Sequence, residues 1–158
     1  MNAYSGLYYQ DFQKWIYSQI NLLRAGKTDE IDVAHLIDEL EDMGKSNARE
    51  LESRLMILLA HLLKWQFQLA SLAAQWNDFE GKSWRITIIE QRAQIAFLLK
   101  KVPSLKSQLQ EAITEAYPES VALAVKETRL RVEVFPVQCP YTMEQILDDE
   151  FYPEVQDC

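Results

Sequence analysis

Glycine and proline are scarce, four and five among 158 residues. Both concentrate in turns and linkers, so little of this chain is left for either. Cysteine is rarer: Cys139 and Cys158 stand alone. Two thiols make no disulfide framework, and neither has a Cys or His neighbour at zinc-ligand spacing. Two free thiols are expected, and no metal site. From Val132 to the end there is no Lys or Arg, but there are seven acids: Glu133, Glu144, Asp148, Asp149, Glu150, Glu154 and Asp157. The stretch before it holds 17 acids and 16 bases, a net of −1, so −7 of the formal −8 lies in this tail. Without a basic stripe to neutralise phosphates, nucleic acid is not an expected partner. No apolar run approaches the roughly 20 residues of a membrane span. The richest, Leu55 to Leu63, contains His61. The start, MNAYSGLYYQ, lacks the basic-then-apolar pattern of a secretory leader. No membrane contact and a cytoplasmic location are expected.

What is present is helical periodicity. Leu51, Leu55, Leu58, Leu62, Trp65, Leu69, Leu72 and Trp76 recur at alternating steps of four and three. Only a long helix keeps all eight on one face. Asp11 is a capping residue, and Phe12, Trp15, Ile16 or Gln19, Ile20 and Leu23 follow on one face until Gly26. Asp32 opens a second predicted helix with Val33, Leu36, Ile37, Leu40 and Met43, ended by Gly44. Its outer face is acidic: Asp38, Glu39, Glu41 and Asp42. Asn47 and Glu50 suggest a capping box for the third, running to about Trp76 and on the order of 45 Å long. A fourth runs from about Ser83 to Val102. Pro103 forces a new start, Leu105, Leu109, Ile113 and Ala116 mark a fifth, and Pro118 separates off a sixth.

The third and fourth helices should form an antiparallel hairpin. With Trp76 facing Trp84, ideal spacing sets Leu72 against Ile88, Leu69 against Gln91, Trp65 against Ile95, Leu62 against Leu98 and Leu58 against Val102. The reading is one all-α domain over 1–158, with an irregular six-helix body at 11–131 and a tail at 132–158. The tail carries Phe135, Tyr141, Met143, Ile146, Leu147, Phe151 and Tyr152, residues that disordered segments lack. It is expected to wrap over the body, with a short helix within 142–149. Phe135, Tyr141, Phe151 and Tyr152 are the candidates for meeting a partner instead.

Several segments together resemble a cyanobacterial family, the domain of unknown function family 29. They are LYYQDFQKWIYSQINLLRAG, HLLKWQFQ, SWRITIIEQRAQIAFLL, PSLKSQL and FPVQCPYTMEQILDDEFYPE, and they cover nearly the whole length. The resemblance implies an all-helical fold and no particular activity. Two departures stand out. Members tend to carry Pro and Arg before the Ser-Trp pair, where this chain has LASLAAQWNDFEGKSW. Arg129 stands where Gly often follows the Glu-Thr pair.

Recognised catalytic patterns do not fit. Gly81-Lys82-Ser83 copies the end of a phosphate-binding loop, but Trp76 occupies the place of its first Gly and no strand precedes it. A di-metal bundle needs Glu three residues before His, whereas Asp32 precedes His35 and Leu58 precedes His61. No nucleophile elbow, CxxC pair or dinucleotide fingerprint occurs, and no cofactor is expected. His35 falls in the first turn of a helix, where the dipole disfavours its charged form, and reads as structural. The four tryptophans read as core anchors. One polar group could do general acid–base work between the third and fourth helices: His61, Gln68, Glu90 and Arg92. The leading functional reading is instead a non-enzymatic interaction protein. Its tail or the acidic face of the second helix would meet a basic protein partner, in the manner of an antitoxin holding a toxin. A hydrolase using the polar cluster is the alternative. An apolar strip left bare on a helix exterior would mark a homo-oligomer.

Overall fold

The computed structural model describes residues 5–75 and 81–156. Among these the chain is all-α, with six helices: α1 (Ser5–Gln10), α2 (Phe12–Arg24), α3 (Val33–Gln75), α4 (Lys82–Lys101), α5 (Leu109–Thr128) and α6 (Met143–Leu147). Short 3-10 turns occupy Pro103–Gln108 and Val132–Val134. The chain divides into two compact units, Met1–Ser46 and Asn47–Cys158, and α3 supplies residues to both.

In the first unit Asp11 caps α2, its side chain accepting from the Lys14 amide at 3.0 Å. Gly26 closes the helix end at φ 72°, the left-handed region that glycine enters without Cβ strain. The buried face is Trp15, Gln19 and Leu22, while Leu23 is half exposed. The short α1 has too few apolar positions to show a period, and the sequence reading misses it.

Gly44 does not end a helix, and α3 runs unbroken from Val33 to Gln75. Glycine stops a helix by turning left-handed, and Gly44 has no positive φ. Within the helix it costs only about 1 kcal/mol relative to Ala, which continuation on both sides can absorb. Pro118 likewise lies inside α5. Its ring removes one backbone donor, but Ala116, Tyr117, Ser120 and Ala124 around it are buried, and that burial holds the helix together.

The core of the second unit is one apolar cluster. Leu51, Leu55, Leu58, Leu59, Leu62, Leu63 and Trp65 from α3 meet Ile88, Ile95 and Leu98 from α4, with Leu109, Ile113 and Ala116 from α5. By length and composition α3 contains a window apolar enough to cross a membrane, and half of that window is buried in this packing. The α3–α4 hairpin has a different register from the sequence reading. A Cβ on Gly81 would lie 3.0 Å from both Leu69 and Trp65. The Arg85 guanidinium lies 5.5 Å from the Trp65 ring, and Lys64 Nζ lies 4.9 Å from that of Trp84. Trp65 thus meets the start of α4 rather than Ile95, a slide of about three turns. Three whole turns return the same faces to each other, so apolar spacing cannot tell these registers apart. Trp76 lies outside the described residues.

The tail packs on this body. Phe135, Tyr141 and Ile146 join the core cluster, and Phe151 and Tyr152 pack against it. Thr142 starts α6 with a reciprocal capping box, Thr142 Oγ1 accepting from the Gln145 amide and Gln145 Oε1 from the Thr142 amide.

Candidate functional site

The four residues of the expected polar cluster do not assemble. His61 is half-buried, and its Nδ1 lies 2.8 Å from the Ile57 carbonyl of its own helix. Burial pushes its pKa below the usual value. Gln68 donates to the Thr128 carbonyl at 3.4 Å. Glu90 faces solvent. Arg92 is buried and turned to the tail, donating from Nε to the Ile146 carbonyl (2.9 Å) and from Nη2 to the Gln145 carbonyl (3.3 Å). Those carbonyls close the end of α6, where the helix dipole favours a cation. Arg92 is therefore a clasp for the tail.

The tail aromatics are engaged within the chain. Phe135 packs edge-on to Phe67, with centroids 5.7 Å apart. Tyr141 donates to Gln66 Oε1 at 2.7 Å, and its ring meets Phe151. Tyr152 lies 4.9 Å from Trp65, with the guanidinium groups of Arg85 and Arg92 at 5.2 and 5.5 Å. A groove of about 520 Å³ runs between α5 and residues 132–137, lined by Tyr117, Pro118, Val121, Val132, Phe135 and Val137 among others. Tyr117 donates to the Pro136 carbonyl at 2.6 Å, and burial pushes its pKa up to about 12. Cys139 borders the adjoining cavity, its thiol pKa also raised by burial, so it stays protonated and a poor nucleophile.

The first unit is organised around a carboxylate. Asp32 is buried, and its Oδ2 accepts from Trp15 Nε1 (3.1 Å) and His35 Nδ1 (2.7 Å). It also takes the His35 backbone amide, which makes it the cap of α3. The Asp32 amide donates to Gln19 Oε1 at 2.7 Å. Burial alone would raise the Asp32 pKa, but the hydrogen bonds from His35 and Trp15 outweigh it and hold the group below the ordinary carboxylate value. An ionised carboxylate only accepts, so His35 Nδ1 carries the proton. Asp behind His is the arrangement of an oriented general base, yet His35 Nε2 faces the Tyr9 hydroxyl at 3.3 Å and Tyr8 stacks on the ring at 3.9 Å. The Tyr8 hydroxyl donates to Glu39 at 2.5 Å, which pushes its own pKa up to about 12. The group fastens α1 and α2 to the first turns of α3.

Within the first unit, α3 leaves four large apolar side chains bare. Val33, Ile37, Leu40 and Met43 are 53%, 50%, 64% and 66% exposed. Spacings of four, three and three place them along one side of the helix. Seven carboxylates lie between Asp29 and Asp42, and no Lys or Arg occurs between Lys27 and Lys45. Asp38 and Glu41 are exposed, and Glu41 borders the stripe.

The sequence profile of the family described as Domain of unknown function DUF29 matches residues 7–152. The chain belongs to this family. No curated protein and no solved structure matches it. In this DUF29 chain the structure gives a physical meaning to the position where the resemblance leads one to expect Gly. Arg129 ends α5 at φ 58°, the left-handed cap conformation that glycine adopts most easily. Its amide still donates to the Val125 carbonyl at 2.9 Å, so the cap forms with a side chain that strains it. The exposed stripe of this DUF29 chain consists of residues the sequence names only as the apolar face of a helix. Periodicity identifies such a face but not what covers it.

Proposed function

We propose that the protein is a non-enzymatic protein-interaction module that binds through the Val33–Met43 segment of α3. The observation that carries this reading is the stripe itself: four large apolar side chains left in water on a segment crowded with carboxylates. Contiguous exposed apolar surface with a polar border is the usual mark of a binding face. The apolar side chains supply affinity, and the carboxylates select a basic partner and speed the encounter. The partner is a protein that presents an amphipathic helix with Lys or Arg beside its apolar face. A small basic toxin held by an acidic antitoxin is one such pair. The tail is the weaker surface, because its rings already serve the chain's own core.

Titration calorimetry with a synthetic Leu–Lys amphipathic helix tests this. Binding to the wild type is expected, weakened by salt and weakened roughly tenfold or more in Leu40→Glu. The added charge of that variant would strengthen a purely electrostatic contact. Equal or tighter binding by Leu40→Glu overturns the reading.

A further inference from the structure

We infer that the basic helix accepted by this stripe is α4 of a second copy of the chain. The inference rests on the reading of α3 just given and names its occupant. Like the start of α3, α4 has an apolar face that is largely exposed among the described residues. Its inner side, with Ile88, Ile95 and Leu98, is buried in the core. On the opposite side Ile86, Ile89 and Phe97 are 55%, 54% and 65% exposed. At 100° per residue these three share one stripe with Ala93, and Lys82 and Lys100 fall at its two ends.

A helix apolar on two sides is normally covered on both. The charges of the two bare stripes are opposite. Solvent-facing α4 carries Lys82, Arg85, Lys100 and Lys101 against Glu90 alone, whereas the α3 segment carries carboxylates and no cation. The lengths also agree. Val33 to Met43 spans about 15 Å and Ile86 to Phe97 about 16 Å. Pairing of α3 with α3 would set like charges together, and α4 with α4 would do the same. Only the α3–α4 contact joins apolar to apolar and acid to base.

Light scattering over a concentration series, with circular dichroism to confirm retained helicity, reads the outcome. The wild type is expected at twice the mass of one chain or more, and Leu40→Glu and Phe97→Glu each at the mass of one. In a background with Cys139→Ser and Cys158→Ser, a mixture of Leu40→Cys and Phe97→Cys chains should form an oxidative cross-link that neither forms alone. A cross-link from Leu40→Cys alone, or association that survives both glutamate substitutions, overturns the inference. A wild type that stays monomeric up to its solubility limit, yet takes the Leu–Lys helix in a Leu40-dependent way, overturns the second-copy assignment and leaves the α3 reading standing. A wild type that does neither overturns both.

Discussion

The first 46 residues and the remaining 112 solve the same physical problem in opposite ways. The second unit closes a continuous core from Leu51 to Ile146 and leaves few large apolar side chains outside, among them Ile86, Ile89 and Phe97. The first unit, among its described residues, buries only Trp15 and Leu22 as apolar side chains, yet exposes Tyr9, Phe12, Tyr17, Leu23, Val33, Ile37, Leu40 and Met43. A segment of that size has too much surface for its volume to enclose a full core. It is held by directional contacts instead: the Asp32 carboxylate gathering Trp15 and His35, and Tyr8 stacked on His35. A body that coheres through hydrogen bonds keeps its apolar residues available for another surface.

The sharpest way to break this contrast is truncation on each side of it. Leu58→Ala or Leu62→Ala, in fully buried positions, should cost about 2–5 kcal/mol in denaturant melts. Leu40→Ala, of the same chemistry but exposed within one chain, should stay within about 0.5 kcal/mol when it is compared in the monomeric Phe97→Glu background. Similar losses at the three sites would abolish the distinction. Next in size is Asp32→Ala, which strands the Trp15 and His35 donors. A loss of about 1–3 kcal/mol is expected, and hydrogen exchange should rise in α1, α2 and the first turns of α3 rather than around Leu58. Arg129→Gly should raise stability by about 1 kcal/mol, since glycine enters the left-handed cap without Cβ strain.

The smallest effect is in acid and separates the units by pH. His61 is held neutral by burial, its folded pKa below its unfolded one. Its contribution is complete above about pH 6.5 and is lost as pH falls toward the folded value. Asp32 is also depressed, but from a carboxylate value, so its contribution persists until pH drops below about 3.9. Residue-resolved exchange from neutral to mildly acidic pH should therefore show the second unit weakening first, and His61→Gln should flatten that slope. Weakening of the first unit alone in that range would reverse the assignment.

Much of the architecture was legible in the chain because local chemistry and packing agree there. Asp11 caps α2 as its side chain predicts, and the Leu51–Leu72 spacing allows no other element. Legibility failed where one residue admits two outcomes. Gly44 and Pro118 disfavour a helix by about 1 and 3 kcal/mol; unbroken helix on either side absorbs the first, and the buried residues around Pro118 offset the second. The hairpin register failed because a three-turn slide preserves every face. The candidate surface was half legible. The sequence names Val33, Ile37, Leu40 and Met43 as one apolar face, but whether the chain covers that face itself is a tertiary fact. For His61, Gln68, Glu90 and Arg92 the sequence predicts facing helices but not the neighbours each side chain finds: Arg92 reaches the tail and Glu90 faces water.

Gly81 looks like the least demanding residue of the molecule, a loop glycine ahead of a helix. Yet its missing methyl is the space that Trp65 and Leu69 fill, and the Trp65 ring in turn supports Tyr152 and Arg85. Exchanging one hydrogen for one carbon at this point would press on the indole and, through it, loosen a tyrosine seventy-one positions downstream. Damage introduced at the hairpin end of the bundle would thus surface as a fault in how the C-terminal strap is seated.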